Sequence, residues 1–324
     1  MRDHGGDIDA AIAKWGGAGW IDLSTGINRR PYPVPELPQS AWTALPTQGA
    51  IARLCTVAAS TYRTDAAILA VAGAQAAIQL IPRLGPPRRA RVLGPTYNEH
   101  AASLRAAGWQ VDEVSTHDAL AGADLAVVVN PNNPDGRHVT PPTLLTLARN
   151  VGRLIVDESF ADPRPEQTLA PHAGQRGVFV LRSFGKFYGL AGVRLGFVVG
   201  HADDIAALAE MAGPWPVSGA AIEIGCRAYA DREWALATTR RLLADAGRLD
   251  ALAAGAGWQL CGGTDLFRLF DVPDAAAMQD RLARNRIWSR RFPYSARWLR
   301  LGLPGTDTEW ARLAAALDDI GTRP

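Results

Sequence analysis

The segment Leu125–Val129 reads Leu-Ala-Val-Val-Val, apolar at every position, and breaks at Asn130-Pro131-Asn132-Asn133-Pro134-Asp135-Gly136. A strand with one wet face alternates apolar and polar residues. A run without alternation needs cover on both faces, as in a parallel sheet wrapped by helices. Short apolar runs at Ile68–Ala72, Arg91–Leu93, Val111–Val114, Arg153–Val156, Val178–Leu181 and Leu195–Val199 read as further strands. Helical patterns lie at Ala74–Leu84 and Tyr97–Ala107, and Thr140 can cap a helix opened by Pro141 and Pro142. Strand and helix in alternation predict an α/β fold with a large, mostly parallel sheet.

After Gly200 the pattern is helical to about Ala254. A smaller α+β pattern follows, with strands at Leu266–Phe270 and Arg297–Leu301 and helices at Ala275–Ala283 and Glu309–Leu317. The expected division is an arm over 1–35, a large domain over 36–225 and a small carboxy-terminal domain over 226–324. The Pro-rich stretch Pro31–Pro38 marks the first border, because each proline fixes φ and removes a donor.

Charge excludes some partners. Lys plus Arg number 34 against 32 for Asp plus Glu, and a net charge of +2 gives no electrostatic case for nucleic acid or an anionic membrane. Cys55, Cys226 and Cys261 are odd in number and far apart, which argues against a disulfide framework or a thiolate metal site and for a reducing cytoplasm. The polar start Met1–Asp7 has no signal-peptide core behind it, and no run approaches the roughly 18 apolar residues of a membrane span. The expectation is a soluble cytoplasmic protein without a metal.

In an open α/β sheet, ligands gather at the carboxyl ends of the strands. The unusual polar residues fall there. Asn130–Gly136 follows one strand, Asp157-Glu158-Ser159-Phe160 follows the next, and Ser183-Phe184-Gly185-Lys186 follows a third, with Arg194 eight residues after the lysine. Singly, each reads as a turn, a helix cap, a solvated lysine or a surface arginine; their joint occurrence carries the argument. A lysine amine forms a Schiff base with an aldehyde cofactor. A buried carboxylate such as Asp157 keeps a pyridine nitrogen protonated, Asn133 can donate to a phenolate oxygen, and Arg194 with the Ser183 hydroxyl suits a phosphate. Gly73-Ala74-Gln75, between a strand and a helix, adds backbone N–H groups.

The series SFGKFYGLAGVRLG, with NPNNPDG and DESF upstream, resembles the fold-type I enzymes dependent on pyridoxal 5′-phosphate (PLP), the aspartate aminotransferase superfamily. The resemblance implies Lys186 as the Schiff-base lysine, Asp157 as the pyridine-nitrogen partner and Asn133 as the phenolic-oxygen partner. It implies Ser183, Arg194, Ala74 and Gln75 around the phosphate and Tyr97 stacked on the ring. The superfamily also implies a homodimer. His4-Gly5-Gly6-Asp7, Asp22-Leu23-Ser24-Thr25-Gly26-Ile27-Asn28, GPTYNEH and Trp298–Pro304 are similar to the L-threonine-O-3-phosphate decarboxylases of cobalamin biosynthesis. That resemblance implies conversion of threonine phosphate to (R)-1-amino-2-propanol O-2-phosphate and carbon dioxide. Arg300 would hold the substrate carboxylate, and His4 and Asn28 would lie near the substrate end. Decarboxylation needs the bond to the carboxylate perpendicular to the cofactor ring, so substrate anchors decide the reaction.

Several positions depart from the common pattern. Gly185 stands where relatives place Ser or Thr, Phe160 where aminotransferases carry Tyr, and NPDG replaces NPTG. Leu45-Pro46 lacks a tyrosine that in histidinol-phosphate aminotransferases reaches the neighbouring subunit's phosphate, and Arg29-Arg30 interrupts the amino-terminal motif. Two rival readings are a histidinol-phosphate-type aminotransferase, which would need an amino acceptor, and a PLP-sensing regulator. The regulator would need a helix-turn-helix, for which the first 35 residues leave no room.

Overall fold

The apolar run at 125–129 is an interior strand of a seven-stranded sheet, buried at all of its positions. The computed structural model describes residues 4–321, so the first three residues of the polar start and the last three of the carboxy-terminal segment lie outside the described residues. In chain order the strands begin with β1 (Ile21–Asp22), β2 (Ala67–Val71), β3 (Arg89–Leu93), β4 (Gln110–Val114), β5 (Leu125–Val129), β6 (Leu154–Asp157), β7 (Val178–Ser183) and β8 (Gly196–Gly200). The large sheet has the order β2-β8-β7-β6-β5-β3-β4. Strands β3 to β7 run parallel, whereas β8 is antiparallel to both β7 and β2. Between β7 and β8 the chain holds only a one-turn helix (Phe184–Phe187) and a 3₁₀ turn (Ala191–Val193), so it turns back along the same edge instead of crossing over.

Ala77, Ile78, Leu104, Trp109, Leu125, Val127, Phe179 and Val198 meet in one buried cluster between the sheet and its helices. Thr140 caps its helix as the sequence predicts, its side chain accepting from the Thr143 N–H. Helix Gln48–Tyr62 has no counterpart in the sequence reading. Its buried stripe is Leu54, Ala58 and Tyr62, spaced by four but separated by small and polar residues that blur the pattern. It packs on helix Gly219–Ala230, where a Cβ at Gly225 would come within 2.8 Å of Leu54.

The chain forms two compact units, one of Tyr32–Asn133 with Arg137–Glu233, the other of Met1–Pro31, Pro134–Gly136 and Trp234–Pro324. The border at Glu233 lies beyond the expected 225/226, because helix Gly219–Ala230 buries Ile222, Ile224 and Tyr229 in the larger unit. The smaller unit contains β9 (Gln259–Thr264), β10 (Phe267–Asp271), β11 (Ile287–Trp288), β12 (Arg290–Phe292) and β13 (Ser295–Gly302). Four of these form the sheet β12-β13-β10-β9. The amino-terminal segment joins this unit through β1, which pairs in parallel with β11.

Candidate active site

Three strands of the larger unit end abreast: Val71 of β2 and Ser183 of β7 both face Gly196 of β8. Because β8 is reversed, its start meets the ends of its neighbours, and Arg194 joins Ser183 and the Gly73–Ala74 turn. Here the backbone is closely fitted. A Cβ on Gly73, whose φ is +75°, would lie 2.7 Å from Arg194 Nη2, and one on Gly196 would lie 2.5 Å from the Ala74 nitrogen. Arg194 itself adopts left-handed φ of 55°, uncommon without a constraint. The result is a corner where a guanidinium, a hydroxyl and the first N–H groups of a helix converge.

Next along the same edge, Val129, Asp157 and Leu181 are abreast. Asp157 is 2% exposed. Its Oδ2 accepts from His100 Nε2 at 2.8 Å, and its Oδ1 accepts from the Ser159 N–H at 3.0 Å and the Ser159 hydroxyl at 2.6 Å. Burial pushes this carboxyl up, but the bond and charge of His100, then the two bonds from Ser159, outweigh it and hold Asp157 below the usual range. A buried carboxylate thus stays ionised.

Lys186, Asp157, Asn133, Tyr97, Ser183, Arg194, Ala74 and Gln75 line one cleft of about 600 Å3, its open mouth included. Ser159 and Phe160 complete the wall. Lys186 comes from the one-turn helix after β7, its Nζ 5.7 Å from the Phe160 ring centre. Gly185 beside it is a packing requirement, since a Cβ there would be 2.7 Å from Ala191 Cα. The Tyr97 hydroxyl donates to Gln75 Oε1 at 3.3 Å, and the Gln75 amide donates to Glu99 at 3.0 Å. In the loop after β5, Asn130 exchanges two bonds with the Val139 backbone, and Asn132 accepts from Thr96 and donates to the Pro95 carbonyl. Two asparagines hold the loop; Asn133 lines the cleft.

The other expected residues belong to the smaller unit. Arg300, on β13, is buried and donates to the Ser24 carbonyl at 2.7 Å. The Ser24 hydroxyl accepts from the Gly6 N–H at 2.7 Å, and a Cβ at Gly5 would meet the Ser24 carbonyl oxygen at 2.4 Å, so the His4-Gly5-Gly6 turn is seated on Ser24. His4 lines a second cavity with Ser24, Ser289, Arg290 and Arg291. Asn28 is buried, its side-chain oxygen accepting from the Arg30 N–H at 3.0 Å and Arg241 at 2.9 Å. The two arginines that interrupt the motif are structural ties: Arg29 grips Glu309 with two nitrogens and Arg30 bonds the Gly305 carbonyl.

Two residues escaped the sequence reading. His100 sits three positions after Tyr97 in GPTYNEH, and a polar ring on the buried side of a helix was its available signal. Arg290 lies opposite Arg300 in the β12–β13 register. Pairing the strands across Pro293-Tyr294 would have exposed it. Arg300 is pushed down to about 9, first by burial and then by Arg290.

Residues 36–317 match the family described as aminotransferase class I and II. A threonine-phosphate decarboxylase of a Sinorhizobium species is 45% identical, covering 97% of each chain. A threonine-phosphate decarboxylase of Pseudomonas aeruginosa is 43% identical over 98% of this chain and 97% of its own. A histidinol-phosphate aminotransferase from Sinorhizobium meliloti, solved with pyridoxal 5′-phosphate, superposes with a TM-score of 0.82 over 96% of this chain and 93% of that one at 21% identity.

Proposed function

Since the chain belongs to the aminotransferase class I and II family, we infer that it is a PLP-dependent carboxy-lyase. It decarboxylates L-threonine O-3-phosphate to (R)-1-amino-2-propanol O-2-phosphate in cobalamin biosynthesis. The near full-length likeness to two threonine-phosphate decarboxylases favours this over a histidinol-phosphate aminotransferase, which it resembles in fold. The observation that carries the cofactor reading is one cleft holding Lys186, an ionised buried Asp157, Ser183 and Arg194. A flat pyridine aldehyde bearing a phosphate needs this donor set.

In this reading Lys186 holds the aldehyde carbon, Asp157 holds the proton of the ring nitrogen, and Asn133 donates to the phenolic oxygen. Tyr97 stacks on the ring face. Ser183, Arg194 and the Ala74 and Gln75 N–H groups grip the phosphate. Bound PLP supplies an electron sink for the pair released when the carboxylate leaves. His100 and Ser159 keep Asp157 charged, which is what retains that ring proton.

Arg300 takes the substrate carboxylate, while His4, Asn28 and Arg290 serve its phosphate end. A tight salt bridge would stabilise the ground state and slow carboxylate loss, since only interactions stronger in the transition state accelerate a step. Arg300 therefore acts chiefly by orientation. Its role would be to fix the direction in which the substrate carboxylate points, without holding the carboxylate so tightly that its loss is slowed. Lys186 Nζ would be the group that supplies a proton to Cα after the carboxylate has left.

No helix among the described residues is long and apolar enough to cross a membrane. We place the enzyme in the cytoplasm, where its three unpaired cysteines stay reduced. It works as a homodimer, for which Val34, Trp42, Leu45 and Trp215 offer exposed apolar surface on the larger unit. Incubation with L-threonine O-3-phosphate tests the reaction: carbon dioxide appears without 2-oxoglutarate. Turnover only when the oxo-acid is added overturns the decarboxylase in favour of the aminotransferase.

A further inference from the structure

Alternation along β7 sends Ser183 into the cleft and its neighbour Arg182 away from it. Arg182 is 3% exposed and carries a charge, an expensive arrangement unless it is well paired. Its Nη1 donates to Glu158 Oε2 at 2.9 Å, and its Nη2 donates to Asp162 Oδ1 at 2.5 Å. The guanidinium also lies 4.5 Å from the Tyr62 ring centre. Glu158 is wholly buried, and its two oxygens are shared out along the chain that follows it. Oε1 accepts from the Leu169 N–H at 2.6 Å, while Oε2 also accepts from the Thr168 hydroxyl. The first residue of the loop 158–169 therefore holds its last, and Arg182 holds its middle at Asp162.

This loop carries Ser159 and Phe160, which line the cleft. The turn at 157–159 lets Ser159 give Asp157 two hydrogen bonds. Neither Glu158 nor Arg182 lines the cleft.

We propose that Glu158 and Arg182 are positioning residues for the cofactor: they close the loop 158–169 from behind, so that Ser159 stays on Asp157 and Asp157 stays aimed at the ring nitrogen. The inference rests on the PLP reading above. A buried ion cluster that merely stabilised the fold would have no special link to Ser159, and this distinguishes the two roles.

The test is a double-mutant cycle read by titrating cofactor-depleted protein with PLP and following its visible absorption, well below the melting temperature. Glu158→Gln keeps the shape and the acceptor for Leu169 but weakens the grip on Arg182; it lowers PLP affinity about tenfold. Ser159→Ala does the same. The double variant binds no more weakly than Ser159→Ala alone, because Glu158 acts through that residue. Arg182→Lys, which keeps the charge, loses less than Arg182→Met. Should Glu158→Gln fail to fold, Thr168→Val loosens the same carboxylate from its rim, and the cycle is run with it. Additive effects, or a lower melting temperature with unchanged PLP affinity, overturn the proposal and leave the cofactor assignment standing. If the unaltered chain takes up no PLP, the cofactor assignment falls first and this inference with it.

Discussion

Replacing His100 by Phe removes one hydrogen bond while keeping a ring of similar size in the buried space beside Tyr97. That bond joins His100 to an Asp157 that is 2% exposed, and its loss leaves Ser159 alone to oppose burial. A hydrogen bond to a buried charge contributes about 1.5–3 kcal/mol. For a unit of about 200 residues this is on the order of 3–12 °C in melting temperature at pH 7. The pH dependence tests the cause. In the parent, Asp157 is held below its unfolded value of about 3.9, so its contribution is present above that pH and is lost as pH falls through the folded value. In the variant, burial dominates and the folded value rises above the unfolded one. The penalty is then largest at neutral pH and shrinks as pH falls through the new value. Melting curves of cofactor-depleted parent and variant between pH 7 and pH 4.5 therefore converge towards acid. A melting difference that stays constant across this range refutes the reasoning and reduces His100 to a packing residue.

Other expectations follow from the same geometry. Lys186→Ala binds PLP without a covalent link, so borohydride treatment fixes the cofactor to the parent but leaves the mass of the variant unchanged. Gly196→Ala brings a Cβ to within 2.5 Å of the Ala74 nitrogen and disturbs the phosphate corner, lowering PLP affinity at least about tenfold. In competition titrations the loss is seen for PLP and is absent for unphosphorylated pyridoxal. Arg300→Gln raises KM for L-threonine O-3-phosphate on the order of 30-fold, about 2 kcal/mol, with a smaller change in kcat; an unchanged KM would remove Arg300 from substrate binding.

Much of this protein is legible along the chain because the relevant chemistry is local. A five-residue apolar run without alternation, ended by turn residues, reads as a doubly covered strand, and the polar residues that end such runs put forward Asn133, Asp157, Ser183 and Lys186 before any strand was paired. What escaped depends on pairing across long separations. Nothing in the sequence near Asp157 shows that His100, 57 residues earlier, completes it. Helix Gln48–Tyr62 hides behind small residues whose burial appears only once Gly225 admits Leu54. The reversal of β8 is also invisible in composition, yet it brings Arg194 beside Ser183 and Gly73, because only a strand running backwards starts where its neighbours stop. In the same way the hairpin register sets Arg290 against Arg300, which is pushed down first by burial and then by that neighbour. The order of residues thus determined which chemical groups the chain carries and at which strand ends they stand. Tertiary structure decided which of them meet and how far burial shifts their charge, because both depend on distances that close only when the sheet is assembled.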